Sequence, residues 1–169
     1  MSEKPDISRS DLTTTIHLSS LKALSPHVAS IIENLSSEDR NVLGQLPIGS
    51  GMLVVATGPA KGSRFLIDKP STTIGRNVDS DILLNDVTVS RKHAIVEMTS
   101  QNEKVGRTFV LKDLGSLNGT YIDGIQRDHG ALTNGNEIHI GKFKLIFFAN
   151  NGELSNILHK GNLTKGEKK

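Results

Sequence analysis

The central part of the chain is predicted to be an all-β sandwich, and two observations support this. From residue 51 onward, short apolar runs alternate with turns rich in Gly, Asn and Asp, a pattern typical of antiparallel sandwiches. No interval between these runs is long enough for the crossover helix that a parallel sheet requires. The sequence therefore favours a sandwich or barrel and disfavours an α/β fold.

The apolar runs define the individual strands. Between the last two runs, Gly141 and Lys142 predict a tight hairpin turn. The predicted strands are Met52–Ala56, Arg64–Ile67, Thr72–Gly75, Asp81–Leu84, Ala94–Met98, Thr108–Lys112, Thr120–Ile122, Glu137–Ile140 and Phe143–Phe148.

The part of the chain before residue 51 has a different composition and a different pattern of apolar residues. Residues 1–20 are polar and rich in Ser and Thr, which predicts a disordered arm. Ser25 and Pro26 form an N-cap and first-turn pair, and apolar residues then recur at helical spacing, so we expect a short helix over Pro26–Leu35. Residues 36–39 could cap a second short helical turn, and residues 45–51 read as a linker. Because a helix this short is marginal alone, we expect it to be transient or docked.

These differences in composition and pattern divide the chain into an arm (1–50), a β domain (51–149) and a short polar tail (150–169). Leu154, Ile157 and Leu158 could form one helical turn in the tail. Lys and Arg minus Asp and Glu gives 4 − 6 = −2 for the arm, 12 − 10 = +2 for the domain and 4 − 2 = +2 for the tail. An acidic arm and a mildly basic domain attract each other weakly and in a salt-sensitive way.

Composition excludes several functional classes. The chain has no cysteine, which removes disulfides, cysteine-based zinc sites and a cysteine nucleophile. No metal-ligand spacing or phosphate loop is present, so we expect no metal, no cofactor and no enzymatic activity. Aromatic residues make up 4% of the chain and there is no basic stripe, which disfavours nucleic-acid binding. Without a signal peptide or an apolar run of about 18 residues, we expect a cytoplasmic monomer that binds no membrane.

Three polar clusters follow predicted strands: residues 75–76 (GR), 90–93 (SRKH) and 115–120 (GSLNGT). Arg76 and Arg91 carry planar cationic forks that suit phosphate oxygens. Ser90 adds a compact hydroxyl donor, and the Asn118 amide both donates and accepts, which matches the backbone of an extended peptide. These are groups for recognition, and none is an evident nucleophile or general base.

Each cluster alone has a simpler explanation. Asn118 followed by Gly119 is most often a hairpin turn. A lone histidine such as His93 is more often structural than catalytic, and an arginine after a strand is usually solvated. Their combination, in this order on a β-rich background, is what carries information.

Together, residues 75–76, Ser90 with His93, and Asn118 with Gly119 resemble the hallmark of the forkhead-associated family. The resemblance covers residues 51–149 and implies an eleven-stranded β-sandwich, with loops at one end that bind phosphothreonine peptides. It implies a role for each of five residues: Arg76 and Ser90 hold the phosphate, Arg91 is a second phosphate contact, Asn118 grips the peptide backbone, and Leu117 helps to read the following side chains. Gly75, His93 and Gly119 are implied to be structural.

Longer segments, such as DSDILLNDVTVSRKHA and DLGSLNGTYI, resemble a small actinobacterial group within this family, the glycogen accumulation regulators and 2-oxoglutarate dehydrogenase inhibitors. The resemblance implies that serine/threonine kinases phosphorylate the arm, which then docks into its own domain and switches it off. It also implies that the unphosphorylated domain inhibits the E1 component of 2-oxoglutarate dehydrogenase and glutamate dehydrogenase, and stimulates glutamate synthase.

The arm carries a related threonine motif. Residues 11–16 (DLTTTI), followed by His17, resemble the Glu-Thr-Thr-Ser-Val-Phe motif of that group, with Thr13 and Thr14 at the paired threonines. Three positions depart from it: Leu12, Thr15 and His17. We expect Thr14 to be the phosphorylated residue, with Thr13 as the second candidate. About 37 residues separate Thr14 from the domain, a coil span of roughly 30–35 Å, which would give an effective concentration of about a millimolar.

Two functions therefore stay open. The first is a metabolic regulator with a self-inhibiting arm and no catalysis. The second is an adaptor that recruits another threonine-phosphorylated protein without self-inhibition. Phosphorylating the arm separates them, because only the first predicts a weaker affinity for external phosphopeptides.

Overall fold

The computed structural model describes residues 25–102 and 106–152, together with Leu154 and Leu158. Residues 1–20, which are predicted to be disordered and include Thr13 and Thr14, lie outside the described residues. The chain divides into two compact units, Met1–Ser36 and Ser37–Lys169. The predicted domain limits at residues 51 and 149 stay a prediction.

In the first unit, helix α1 spans Pro26–Asn34. The Ser25 hydroxyl caps it by accepting a hydrogen bond from the Val28 amide at 3.3 Å, and proline occupies the first turn. The predicted helix is confirmed, although it ends one residue earlier, because Leu35 is extended and serves as the C-cap.

The second unit contains helix α2 (Ser37–Gly44) and a two-sheet sandwich, which confirms the predicted fold. One sheet has the order β2-β1-β11-β10-β7-β8, and the other has the order β4-β3-β5-β6-β9. Strands pair antiparallel except β3 with β4. The strands of the described residues are β1 Gly51–Thr57, β2 Arg64–Ile67, β3 Ser71–Gly75, β4 Ile82–Leu83, β5 Ala94–Asn102, β6 Gly106–Asp113, β7 Thr120–Ile122, β8 Ile125–Gln126, β9 His129–Leu132, β10 Glu137–Ile140 and β11 Phe143–Ala149.

The hydrophobic core lies between the two sheets. Successive side chains of a strand point to opposite faces, so Leu53 and Val55 of β1 face inward with Leu145 and Phe147 of β11. The rings of Phe109 and Phe147 meet across the sheets with centroids 5.2 Å apart. This packed core fixes the strand ends from which the site loops emerge.

The outer face of the β1–β11 sheet is also buried in part. Four apolar residues on this face are buried: Met52, Val54, Ile146 and Phe148. Arg64 lies opposite Val54 on the same face, and its Nε donates to Asp39 of α2 at 2.6 Å. Helix α2 is therefore docked on the outer face of this sheet.

The segments on either side of the sandwich are tied to each other. The Asn150 amide donates to the Leu46 carbonyl at 2.6 Å, and the Gly49 amide donates to the Asn150 carbonyl at 2.7 Å. Leu43, Leu46, Leu154 and Leu158 are all buried. Leu154 and Leu158 are helical, as expected, whereas Ile157 lies outside the described residues. The segment predicted as a linker, residues 45–51, thus carries a buried leucine and fixed backbone contacts, and its last residue, Gly51, begins β1.

Two strands had no individual sequence prediction. Strand β8 has only two residues, and β9 (HGAL) contains a glycine and no clear alternation, so neither gave a periodic signal. The hairpin at Gly141 and Lys142 is confirmed, because Ile140 pairs with Phe143 and Gly141 has a φ of 57°. No helix in the described part of the chain is long and apolar enough to span a membrane.

Candidate functional site

Three loops meet at one end of the sandwich: the β3–β4 loop (residues 76–81), the β4–β5 loop (residues 84–93) and the β6–β7 loop (residues 114–119). The Arg76 amide donates to the Ser90 carbonyl at 3.0 Å, and the Leu117 amide donates to the Ser90 hydroxyl at 3.0 Å. The fold thus brings the three predicted clusters together.

Gly75 and Arg76 form the transition from β3 into its loop. A Cβ atom on Gly75 would lie 2.0 Å from the Arg91 carbonyl oxygen, so only glycine permits this approach of the two backbones. The Arg76 Nε donates to the Val89 carbonyl at 3.1 Å, which fixes the guanidinium by one edge. Within the described residues its terminal nitrogens make no ion pair, and they remain available to a ligand.

Ser90 is held between two loops. Its amide donates to His93 Nδ1 at 3.0 Å, and its Oγ accepts from the Leu117 amide. An oxygen that accepts one hydrogen bond still carries its own proton. The Ser90 hydroxyl is therefore a positioned donor.

His93 joins the β4–β5 loop to the β6–β7 loop from beneath. Its side chain is fully buried. Because Nδ1 accepts from the Ser90 amide, Nε2 carries the ring proton, which it donates to the Gly119 carbonyl at 2.9 Å. Both ring nitrogens are thus committed to backbone groups, and the imidazole is not placed to activate the Ser90 hydroxyl.

The Asn118 amide lies at the exposed rim of the site. Its Nδ2 donates to the Thr88 carbonyl at 2.9 Å, which sets which end of the amide is nitrogen. Oδ1 and the second N–H then remain for a ligand backbone. Leu117 beside it is 90% exposed, and the Arg91 side chain is also exposed.

Asp113 organises the β6–β7 loop. Its Oδ1 accepts from the hydroxyls of Ser116 and Thr120 at 2.5 and 2.6 Å, and its Oδ2 accepts from the amides of Gly115 and Ser116, both at 3.0 Å. Partial burial opposes the charged form, but these hydrogen bonds outweigh it and lower the pKa of Asp113. The Ser116 hydroxyl in turn accepts from the Gly119 amide at 2.9 Å.

Asp86 has a similar role in the β4–β5 loop. Its Oδ1 accepts from the Thr88 hydroxyl at 2.6 Å and from the Thr88 amide at 2.9 Å, and these bonds lower the pKa of Asp86. The Thr88 hydroxyl also accepts from the Lys142 amide at 3.0 Å. The turn between β10 and β11 therefore supports this loop from the other sheet.

Comparison with known proteins identifies the family. A family model of the FHA domain matches residues 72–141. Over 118 residues the chain is 47% identical to the oxoglutarate dehydrogenase inhibitor of Corynebacterium jeikeium, covering 69% of this chain and 78% of that protein. The chain belongs to the forkhead-associated (FHA) family.

A second relative and a solved structure are also similar to this chain. The chain is 52% identical over 102 residues to the glycogen accumulation regulator GarA of Mycolicibacterium smegmatis, covering 60% of this chain. The match spans 61% of that regulator's length. A yeast FHA domain solved by NMR with a doubly phosphorylated phosphothreonine peptide has a TM-score of 0.51, 28% identity, and coverage of 59% of this chain and 73% of that one.

The hallmark residues of the FHA domain were visible in the sequence, but three residues that hold them were not recognised. These are Asp86, Thr88 and Asp113. A local signal existed for each aspartate, because an Asp followed two or three residues later by Thr or Ser commonly forms a side-chain-to-backbone turn. The contact between Thr88 and Asn118 spans 30 residues and has no local signal.

The site is suited to recognition. The Arg76 guanidinium, the Ser90 hydroxyl and the Asn118 amide are each held by contacts to the β4–β5 loop or the β6–β7 loop, and such groups suit a phosphate and a peptide backbone. Among the described residues, no group of three or more His, Asp or Glu side chains is arranged to hold a metal ion. FHA domains are phosphothreonine-binding domains.

Proposed function

We propose that this chain is a non-catalytic regulator that binds phosphothreonine through its FHA domain and controls enzymes of central metabolism. The observation that carries the proposal is the convergence of Arg76, Ser90 and Asn118, drawn from three separate loops onto one exposed end. The regulator and inhibitor names of its relatives support the metabolic part. We place the protein in the cytoplasm as a monomer.

Phosphate is the central element of the proposed ligand. Arg76 offers its terminal nitrogens, Ser90 donates its hydroxyl proton, and the exposed Arg91 adds a second cation. A phosphothreonine brings a charge near −2 and three acceptor oxygens, and each charge-assisted hydrogen bond contributes about 1.5–3 kcal/mol. A Glu side chain has a smaller charge and a different shape, so it should bind poorly.

Asn118 supplies the peptide part of the recognition. Its Oδ1 accepts a backbone N–H beside the phosphothreonine, and its second N–H donates to a backbone carbonyl. Leu117 is exposed next to it and contacts the following side chains. The phosphate thus gives affinity, and Asn118 gives direction to the bound strand.

Titration calorimetry of the full chain tests this binding. The ligand is a peptide of residues 8–20 phosphorylated at Thr14, compared with the unphosphorylated peptide and with a Thr14→Glu peptide. We expect binding of the phosphorylated form alone, and loss of that binding in Arg76→Ala but not in Arg127→Ala, an exposed arginine outside the three loops. Equal binding of the Thr14→Glu peptide, or full affinity in Arg76→Ala, would overturn the proposal.

The proposed ligands include the protein's own arm. Thr14, or Thr13 in second place, is phosphorylated by serine/threonine kinases and captured by the FHA pocket. About 23 residues separate Thr14 from Ser37, where the second compact unit begins. Nine of them form helix α1, which is about 14 Å long, and a coil of the other 14 or so residues would span about 20 Å. Capture at the resulting effective concentration of about a millimolar would displace a partner of modest affinity.

Phosphorylating the full chain tests the switch. We expect the affinity for an external phosphopeptide to fall at least tenfold, and to recover in a Thr13→Ala, Thr14→Ala variant treated with the same kinase. An unchanged affinity after stoichiometric phosphorylation of Thr14 would favour a simple adaptor. One feature is compatible with that alternative: all the proposed pocket residues lie between residues 75 and 119, outside the arm.

Co-purification identifies the targets. The proposed partners are the E1 component of 2-oxoglutarate dehydrogenase, glutamate dehydrogenase and glutamate synthase. We expect wild-type chain to recover one or more of them and Ser90→Ala to recover none. Recovery by both would show that the targets bind outside the phosphate pocket.

A further inference from the structure

We propose that Thr88 is a positioning residue for peptide recognition, which fixes the orientation of Asn118 and is itself fixed by Asp86 and by the β10–β11 turn. The inference rests on the proposed phosphopeptide binding. It concerns a residue that lies outside the family hallmark and is not expected to touch the phosphate.

The first step is the contact between Thr88 and Asn118. An asparagine amide can face its surroundings in two orientations that differ in which end donates. The Thr88 carbonyl can only accept, so it selects the orientation with Nδ2 inward, at 2.9 Å. Oδ1 is then presented outward in advance, ready to accept a peptide N–H.

The second step is what holds Thr88. Its hydroxyl donates to Asp86 at 2.6 Å and accepts from the Lys142 amide at 3.0 Å, so both functions of the hydroxyl are used. Its amide donates to Asp86 as well. Thr88 therefore has little freedom to rotate, and its carbonyl keeps one direction.

The third step is the close packing of the turn against Thr88. Gly141 has a φ of 57°, and a Cβ atom there would lie 2.3 Å from the Thr88 hydroxyl oxygen and 3.0 Å from its carbonyl carbon. The turn belongs to the sheet that carries none of the predicted phosphate contacts. Through Thr88, the position of this turn therefore controls the orientation of the Asn118 amide that binds the peptide backbone.

A double-mutant cycle measured with the phosphorylated 8–20 peptide tests the inference. Thr88→Val keeps the size of the side chain and removes the hydroxyl. We expect it to lower affinity about fivefold in the wild-type background, as for the loss of one neutral hydrogen bond, and less than about 1.5-fold in Asn118→Ala, because the two residues act together. Thr88→Ser, which keeps the hydroxyl, should restore most of the affinity.

Gly141→Ala provides a second route that leaves Thr88 unchanged. We expect a loss of affinity about as large as that of Thr88→Val. Gly106→Ala is its control, because Gly106 also has a positive φ of 76° but has open space around it. Thr99→Val is the control for Thr88→Val, because it also removes a threonine hydroxyl. Thr99 lies five residues along β5 from Ala94, where the β4–β5 loop ends, which is a distance of about 17 Å.

The outcomes separate the inference from the proposed function. If wild-type chain fails to bind the phosphopeptide, the proposed function fails. If wild type binds and Thr88→Val weakens binding equally in the two backgrounds, or not at all, Thr88 does not act through Asn118 and the inference is overturned. Melting temperatures of all variants distinguish a local effect from general unfolding.

Discussion

The β4–β5 loop and the β6–β7 loop are both stabilised by hydrogen bonds to an aspartate, but their other supporting contacts differ. Each is organised by one aspartate that accepts hydrogen bonds from amides and hydroxyls, Asp86 in the first and Asp113 in the second. The contacts of the Asp113 carboxylate all lie within seven residues along the chain, and the loop is joined to the β4–β5 loop through Ser90, Thr88 and His93. The β4–β5 loop instead depends on distant groups, the Lys142 amide and the backbone at Gly75.

This difference matches the parts that the two loops play in the proposed recognition. The β4–β5 loop presents Ser90 to the phosphate and must be placed accurately against Arg76 of a third loop. The β6–β7 loop presents Asn118 to a peptide backbone, in the orientation that the Thr88 carbonyl sets. His93 ties the two together through Ser90 and Gly119.

The largest expected effect comes from breaking the distant support of the β4–β5 loop. Gly75→Ala would place a Cβ atom 2.0 Å from the Arg91 carbonyl oxygen. The overlap is with backbone, so it can be relieved only by moving one of the two chain segments. We expect the free energy of unfolding to fall by about 2–3 kcal/mol and phosphopeptide binding to be lost in calorimetry. Gly130→Ala is the control, because its Cβ would meet only the flexible end of Ile122 at 2.8 Å. Full binding by Gly75→Ala would contradict the account.

The second effect compares the proposed phosphate contact of Arg76, in the β3–β4 loop, with the proposed peptide contact of Asn118, in the β6–β7 loop. Arg76→Ala removes charge-assisted bonds to the phosphate and should weaken phosphopeptide affinity about 10- to 150-fold, whereas Asn118→Ala removes neutral bonds and should weaken it about 5- to 10-fold. The measurement is calorimetry of both variants with one phosphopeptide. A larger loss in Asn118→Ala would mean that backbone recognition dominates.

The third effect separates the two aspartates. Asp113 uses both carboxylate oxygens as acceptors, so Asp113→Asn replaces one acceptor by a donor. We expect phosphopeptide affinity to fall about tenfold, as for the loss of one to two hydrogen bonds. Asp86 uses Oδ1 for both bonds to Thr88, and Asp86→Asn keeps that oxygen. We therefore expect a change of less than about twofold for Asp86→Asn, and equal losses in the two variants would refute this distinction.

The smallest effect concerns Asp81, at the start of β4 and outside the two loops. Its pKa is lowered to about 2 by hydrogen bonds from Lys69 and from the amide and hydroxyl of Thr73. A lowered folded-state pKa means that the stabilisation is complete above about pH 4 and is lost as pH falls from about 4 to about 2. Because the carboxylate is exposed, we expect less than about 1 kcal/mol.

The test for Asp81 is thermal unfolding of wild type and Asp81→Asn at several pH values. The difference in melting temperature should narrow between about pH 4 and pH 2, while phosphopeptide affinity at neutral pH stays within about twofold of wild type. A constant difference across this range would show that the carboxylate charge is not the source of the stability.

The amino-acid sequence by itself determined the β-rich character, most strand positions and the short helix at Pro26. Periodicity, caps and turn residues act over a few positions and leave local patterns, whereas the site residues were identified by their resemblance to the forkhead-associated hallmark. Local patterns are also present for Asp86 and Asp113 in retrospect, since each bonds to residues close along the chain. Strands β8 and β9 were too short or irregular to leave such a pattern.

Only the tertiary structure decided how the groups meet. The approach of Gly75 to Arg91, the contact of Thr88 with Asn118, and the support of Thr88 by the β10–β11 turn join distant segments. Such contacts follow from sheet order and the packing of the core, which a local pattern does not contain. The sequence therefore predicted which residues belong to the site, and the fold set their orientation.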